Sequence, residues 1–191
     1  MKQKVITTFL EITSLEQFIP KQGFAEKMEI RLVNNDPFIN HMFFLAVGLP
    51  WEWYSRVSWK PRDWKEHFLK KEVYTYLAFS GKSLAGYFEL VKSDNSAMEI
   101  KYIGLLPQYT GKGLGGYLIS HAVENAFRSG AERVWLHTCN NDHPQAIRSY
   151  KKRGFAIFNE TEEDEDLPDR EFFLDEIRAY FEAYLAENKN S

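Results

Sequence analysis

A glycine-rich segment past the middle of the chain carries the clearest chemical signal. Residues 108–116 read QYTGKGLGG, with four glycines and one lysine in the last six positions. A strand-like pattern precedes the segment and a helical pattern follows it, so free N–H groups and the helix dipole would attract a phosphate there. Glycine permits positive φ angles and close approach of the backbone to a ligand. The residues predicted to contact an anion are Gly111, Lys112, Gly113, Leu114, Gly115 and Gly116.

Other interpretations of the same glycines are weaker. Gly111, Gly113 and Gly116 fit the G-x-G-x-x-G spacing of a dinucleotide site, but Glu132 precedes the next strand, whereas a ribose-binding acid belongs at its end. The G-x-x-x-x-G-K-[ST] spacing of a nucleoside triphosphate loop is missing. A tight strand-to-helix turn without any ligand stays open as the structural alternative. The anion cradle is the preferred interpretation.

The elements that must position this turn form a mixed α/β fold. Strands are predicted at 5–11, 28–33, 73–79, 84–91, 97–105, 133–139 and 155–158, and helices at 38–47, after Pro61, and at 114–130, 144–154 and 168–187. The strands from 73 to 105 follow one another through short turns and are predicted to be antiparallel. The glycine helix then links 97–105 to 133–139 as one parallel βα crossover. We expect a mostly antiparallel sheet with flanking helices.

Length, charge and composition limit the classes of protein to which this chain can belong. A length of 191 residues with 44% hydrophobic residues suits one domain, 1–191. A formal net charge of -3 gives no footprint for nucleic acid. The longest apolar stretch, 42–51, contains Gly48 and Pro50 and is too short to span a bilayer, so no membrane contact is expected. The single cysteine, Cys139, cannot form an internal disulfide, which favours the cytoplasm.

Two segments resemble the motifs of the GNAT superfamily of acyl-CoA-dependent N-acetyltransferases. Residues 99–115 read EIKYIGLLPQYTGKGLG, which looks like the superfamily's Q/R-x-x-G-x-G/A cofactor motif after a strand. Residues 141–155 read NDHPQAIRSYKKRGF, similar to its second motif of an Asn, a short helix with a Tyr, and Gly-Phe. The cofactor core would be 73–158, and residues 1–72 would form the acceptor side. The acidic run 162–166 stands where many members have a last strand, so the resemblance does not decide the structure of that edge of the sheet.

The resemblance implies that acetyl-CoA is the acyl donor and assigns residues to it. The backbone at Leu105 and Leu106 would pair with the pantetheine arm and supply an N–H for the developing oxyanion. Gln108 would belong to the diphosphate turn with the six residues given above, and Asn141 would bind the arm, although Asn140 is an adjacent alternative. Tyr150 would lie beside the cofactor.

The resemblance also assigns acid and base. Tyr150 matches the position whose phenol protonates the leaving thiolate, with packing under the cofactor as its alternative role. Glu99 matches, by position only, a catalytic glutamate of several members. His137 on the neighbouring strand is the rival base, since histidine is a common general base in enzymes. No histidine or cysteine has partners at ligand spacing, so no metal is expected.

The acceptor side is predicted from an aromatic segment. Four of the five tryptophans fall within residues 51–64, after Gly48 and Pro50 end a helix. By position this segment resembles the acceptor side of a GNAT cleft, and its alternative role is to cover one end of the core. The residues assigned to the acceptor are Trp51, Trp53, Tyr54, Arg56 and Trp59.

The predicted activity is direct transfer of an acetyl group to a primary amine of a small molecule or peptide. The alternative is a GNAT-fold module that binds acyl-CoA without transferring the acyl group. The amphipathic helix 168–187 packs on its own chain, which the pattern favours, or on a second copy in a homodimer.

Overall fold

Residues 2–23, 27–94 and 96–188 are described by the computed structural model; residues 1, 24–26, 95 and 189–191 of the predicted 1–191 domain lie outside this description. The strands are β1 (Lys2–Ile12), β2 (Glu29–Val33), β3 (Val73–Ser80), β4 (Ser83–Lys92), β5 (Ala97–Leu105), β6 (Arg133–Cys139) and β7 (Ala156–Asp166). The helices are α1 (Pro37–Gly48), α2 (Pro61–Lys70), α3 (Gly115–Arg128), α4 (Ala146–Lys151) and α5 (Arg170–Asn188).

The strands form one seven-stranded sheet in the order β2-β3-β4-β5-β6-β1-β7. Every neighbouring pair is antiparallel except β5 and β6, which are joined through α3. This confirms the predicted mixed α/β class with one parallel crossover. None of the helices in the described segments is long and apolar enough to cross a membrane.

The acidic run differs from the prediction of a strand at 155–158 alone. β7 continues through the run to Asp166 and pairs along its length with β1. As the outermost strand it exposes most of its side chains, and Lys4 of β1 forms an ion pair with Glu162 at 2.6 Å. Charges on an exposed edge strand are compatible with pairing on one side and discourage pairing on the other.

Helices cover both faces of the sheet because successive strand residues point to opposite sides. On β4, Phe88 is buried in a cluster with Leu118 and Ala122 of α3. Its neighbour Tyr87 is buried in a cluster with Phe43 and Val47 of α1. A third cluster joins α1, α2 and α5, and its buried side chains include Phe44, Trp64, Phe173 and Tyr180. Helix α5 therefore packs on helices of its own chain.

Candidate functional site

The parallel strands β5 and β6 open into a wedge. They are paired only from Ala97–Glu99 to Arg133–Trp135, and both continue beyond the last pair. The Leu106 N–H donates to the Ala85 carbonyl of β4 at 2.8 Å. Because backbone groups alternate in direction along an antiparallel strand, those of Leu105 point away from β4 into the wedge. Leu106 therefore has no free N–H, contrary to the expectation for Leu105 and Leu106 together, whereas the backbone groups of Leu105 are open to the wedge.

A cavity of about 510 Å³ lies beside the wedge and against the start of α3. Gly111 and Gly113 have φ angles of +77° and +74°, which let the turn curl around this space. Leu114 precedes α3 without a side-chain capping bond, so the first N–H groups of the helix depend on another partner. The predicted cofactor residues that line the cavity are Leu105, Gly111, Gly113, Leu114, Gly115, Gly116 and Tyr150. Leu106, Gln108 and Lys112 do not line it.

Three lysine or arginine side chains to which the motifs assigned no role line the same cavity, namely Lys21, Lys152 and Arg153. Lys21 Nζ donates to the Gly113 carbonyl at 2.6 Å and lies 4.1 Å from the centre of the Tyr117 ring. Arg153 lies beside Gly116. Lys21 is remote in sequence from the glycine turn, so no local pattern pointed to it. Arg153 directly precedes Gly154 and Phe155 of the second motif, which was the available signal.

A second cavity of about 270 Å³ is lined by residues of both β5 and β6. It contains His137, Lys101 and Cys139 together with the carboxylates of Glu52, Asp142 and Glu165. The residues that line both cavities are Trp51, Trp53, Ile103, Asp142 and Tyr150. The two cavities therefore meet at Tyr150.

Asp142 fixes the junction between the cavities. Its carboxylate accepts from Trp53 Nε1 at 2.9 Å and from Thr138 Oγ1 at 2.6 Å. Asn141, predicted to bind the cofactor arm, instead lines the smaller cavity and accepts from Gln3 Nε2 at 3.0 Å. Asn140 bonds to the backbone of β1 at Lys4 and Ile6. The polar residue at the junction thus lies one position later than predicted, because residues 140–142 are all asparagine or aspartate and the motif does not separate them.

Tyr150 is 8% exposed and is held at the junction by α4. Burial, and secondarily the negative charge of Asp142, raise the pKa of its phenol well above the usual value. The phenol therefore keeps its proton at physiological pH. The same two causes raise the pKa of the Cys139 thiol, which disfavours Cys139 as a nucleophile.

Glu99 and His137 face each other across β5 and β6. His137 Nδ1 lies 3.3 Å from Glu99 Oε1, and Lys101 Nζ lies 3.0 Å from the same oxygen. Burial favours a raised pKa for Glu99, but the hydrogen bonds and charges of His137 and Lys101 outweigh it and hold the pKa below its usual value. Glu99 lines neither cavity, whereas His137 and Lys101 line the smaller one.

The aromatic segment divides into two groups of residues. Trp51, Trp53 and Tyr54 line the smaller cavity, as expected for the acceptor side. Arg56 and Trp59 line neither cavity. Arg56 is 3% exposed, and its guanidinium lies 4.5 Å from the centre of the Trp59 ring. The prediction that these two residues contact the acceptor does not fit their positions.

The partner of Arg56 explains its burial. Arg56 Nη1 donates to Glu89 Oε1 at 2.9 Å, and Glu89 is 1% exposed. A buried guanidinium needs such a partner. The lone carboxylate within the apolar strand 84–91 was the signal that could have indicated this pair.

Among residues 2–23, 27–94 and 96–188, no three His, Cys, Asp or Glu side chains are grouped as metal ligands.

The sequence model of the Acetyltransferase (GNAT) family matches residues 38–155. A mycothiol acetyltransferase from Corynebacterium efficiens is 31% identical over 87 residues, which is 46% of this chain and 29% of that protein. A streptothricin acetyltransferase from Streptomyces lavendulae is 38% identical over 75 residues, or 39% of each chain. The chain thus spans well under half the length of these two relatives.

Solved structures share the fold. An IAA acetyltransferase from Bacillus cereus is 26% identical with a TM-score of 0.54, covering 69% of this chain and 79% of that one. A GCN5-related N-acetyltransferase from Kribbella flavida has a TM-score of 0.56 at 18% identity, covering 80% and 54% of the two chains. The family match extends over β3 to β6, the glycine turn and Tyr150, and the chain belongs to the GNAT family of acetyltransferases.

Proposed function

We propose that this protein transfers an acetyl group from acetyl-CoA directly to a primary amine. The observation that carries the proposal is the meeting of two unlike cavities at Tyr150. One is bounded by the glycine turn and basic side chains, and the other by aromatic rings and carboxylates. A phosphate-bearing donor suits the first, and an ammonium-bearing acceptor suits the second.

The residues of the larger cavity fit coenzyme A. The turn 111–116 offers backbone N–H groups at the start of α3 to a diphosphate. Leu105 offers its backbone groups to the amides of the pantetheine arm. The bound donor supplies the activated acetyl thioester. The streptothricin and mycothiol enzymes support the donor assignment because both are acetyltransferases.

The residues of the smaller cavity fit an amine. Trp51, Trp53 and Tyr54 provide ring faces, which attract cations, and Glu52 and Glu165 provide negative charge. His137 accepts the proton of the incoming ammonium, and Glu99 positions the imidazole through Nδ1. The amine nitrogen then bonds to the acetyl carbon while the carbon–sulfur bond breaks. Tyr150 gives its proton to the departing sulfur, and the resulting phenolate takes the second proton from the amine nitrogen, which leaves a neutral amide and a free thiol.

Tyr150 at the junction and His137 in the smaller cavity, as the proposed acid and base, favour transfer over the non-catalytic alternative. The test is a thiol-release assay with acetyl-CoA and a broad panel of primary amines, together with thermal unfolding in the presence of acetyl-CoA. Stabilisation by acetyl-CoA with thiol release on at least one amine supports the enzyme. Stabilisation without release on any amine would assign the chain to the binding-module alternative. Propionyl-CoA in a parallel arm measures the preference for acyl length.

Location and assembly complete the proposal. A cytoplasmic site of action is consistent with the single cysteine, Cys139, and with an acyl-CoA donor. A homodimer stays a prediction, which size-exclusion chromatography with light scattering would test.

A further inference from the structure

Arg153 has hydrogen-bond donors without partners at the end of the larger cavity that adjoins the glycine turn. Its Nε and Nη1 atoms are buried and have no hydrogen-bond partner among the described residues. The side chain lines the cavity. A Cβ placed on Gly116 would lie 3.9 Å from Nη1, so the guanidinium adjoins the first turn of α3.

A second cation lies on the same side of the turn. A Cβ on Gly113 would lie 3.8 Å from Lys21 Nζ, and that of Gly116 would lie 2.9 Å from Lys21 Cδ. Lys21, Arg153 and the N-terminal end of α3 therefore place positive charge around one space. Within the described segments, Asp142 is the carboxylate that lines this cavity, and it is bonded to Trp53 and Thr138.

This arrangement is unfavourable without a ligand. Arg153 is partly buried, and its two buried N–H groups lose their hydration without a hydrogen bond to compensate. Burial also lowers the pKa of Arg153, as expected when the charged form is poorly solvated. An anion that brings several acceptor oxygens into the cavity would satisfy both nitrogen atoms.

We propose that Arg153 is a donor-positioning residue whose Nε–H and Nη1–H groups bind the diphosphate of coenzyme A, with Lys21 as the second cation. The inference rests on the proposed function and assigns to two side chains a share of the phosphate recognition expected from the glycine backbone. The proximity of Arg153 to Gly116 and of Lys21 to Gly113 favours the diphosphate over the 3′-phosphate.

The test is calorimetric titration of coenzyme A and of 3′-dephospho-coenzyme A into the wild type, Arg153→Met, Arg153→Lys and Arg128→Met. Arg128→Met is the matched control, because it removes the same charge from the exposed far end of α3. For Arg153→Met we expect Kd to rise about tenfold or more for both ligands, as for loss of charge-assisted hydrogen bonds. Arg153→Lys should recover only some of the affinity, since it restores charge without the planar fork. The control should leave both Kd values unchanged.

The unliganded proteins give a second, independent readout. Arg153→Met removes a buried group with unmade hydrogen bonds, so the melting temperature without ligand should stay the same or rise. A lowered melting temperature with an unchanged Kd would make Arg153 a packing residue and overturn the inference. A loss of affinity confined to coenzyme A would move the contact to the 3′-phosphate and overturn the diphosphate assignment. If the wild type binds neither ligand, the inference and the proposed function both fail.

Discussion

The environment of Tyr150 decides what its phenol can do. It is buried at the junction of the two cavities, and both its burial and the charge of Asp142 disfavour the phenolate. A phenol that stays protonated can donate its proton to the departing sulfur but cannot serve as a base near neutral pH, and its raised pKa makes it a weaker acid than a free phenol. The structure thus favours an acid role over a base role at this position.

We predict that Tyr150→Phe lowers kcat by about a hundredfold, because it removes a proton donor used in the transition state. The Kd for acetyl-CoA should change little, since the ring still fills its place. Steady-state kinetics and calorimetry measure the two quantities. Because the pKa of Tyr150 is raised, the wild-type rate should show no falling limb from this residue up to about pH 10. Wild-type turnover in the variant would return Tyr150 to a packing role.

Glu99 is predicted to act through His137, and only His137 is predicted to contact the acceptor. Since the pKa of Glu99 is lowered, its carboxylate is charged at neutral pH and can orient the imidazole. We expect His137→Asn to flatten the rise of rate with pH and to reduce kcat by about a hundredfold. Glu99→Gln should retain the rise at a lower rate. A flattened profile in Glu99→Gln with a normal one in His137→Asn would instead make Glu99 the base.

Among the secondary-structure elements, the wedge between β5 and β6 and the turn before α3 together form the proposed donor site. The wedge exists because parallel pairing stops at Glu99 and Trp135, while both strands continue. The glycine turn can follow the wedge because Gly111 and Gly113 take positive φ angles. The wedge by itself is an unpaired strand edge, and the turn by itself is the uncapped start of a helix.

We predict that Gly111→Asp abolishes the stabilisation of the protein by acetyl-CoA against heat. A Cβ at Gly111 meets nothing within 4 Å, so the change mainly adds a carboxylate beside the diphosphate space, plus backbone strain at φ +77°. Gly81→Asp is the matched control, because Gly81 has φ +60° and equally open space but lies in the β3–β4 turn. Thermal scans with and without ligand compare them. An equal ligand shift in both variants would contradict the cradle.

The Arg56–Glu89 pair ties the aromatic segment to β4. We predict that Arg56→Met lowers the free energy of unfolding by about 3–5 kcal/mol, because Glu89 is left buried without its counter-ion. Arg31→Met, which breaks an exposed pair with Glu29, should lower the free energy of unfolding far less. Urea titrations measure both, and Arg56→Met with Glu89→Leu should recover some of the loss. A raised amine KM at unchanged stability would restore Arg56 to the acceptor site.

Across the protein as a whole, the helices α1, α2 and α5 hold the proposed acceptor side in place. His41 of α1 accepts a hydrogen bond from Trp64 Nε1 of α2 at 3.2 Å and stacks on Tyr180 of α5 at 3.7 Å. These contacts join the three helices that carry the cluster around Phe44 and Trp64. The aromatic segment 51–59 connects α1 to α2 and depends on that cluster for its position.

We predict that stability falls as pH drops from about 6.5 to about 4. Burial, and then the charge of Lys60, lower the pKa of His41 to about 4. Between these pH values the unfolded chain therefore binds a proton on His41 that the folded chain does not bind. The free energy of unfolding falls by up to about 1.4 kcal/mol for each pH unit. Urea unfolding at several pH values should give a shallower loss for His41→Gln than for the wild type. Identical slopes would show that His41 titrates normally when folded.

Local patterns determined the elements and the donor motif. The apolar alternation of 97–105 and 133–139 predicted β5 and β6 with their observed bounds, because successive residues of a strand face opposite sides of the sheet. The glycines of 111–116 predicted a turn with positive φ for the same local reason. Gly130, with φ +88°, likewise ends the helix as predicted.

Only the tertiary structure decided which side chains share a space. Lys21 and Arg153 come from distant segments and meet at the glycine turn, and Glu89 takes Arg56 out of the predicted acceptor site. The acidic residues of 162–166 form a strand because β1 offers them a partner, which their composition alone disfavours. Backbone conformation depends mainly on neighbours in sequence, whereas the pairing of charges depends on distances that the fold sets.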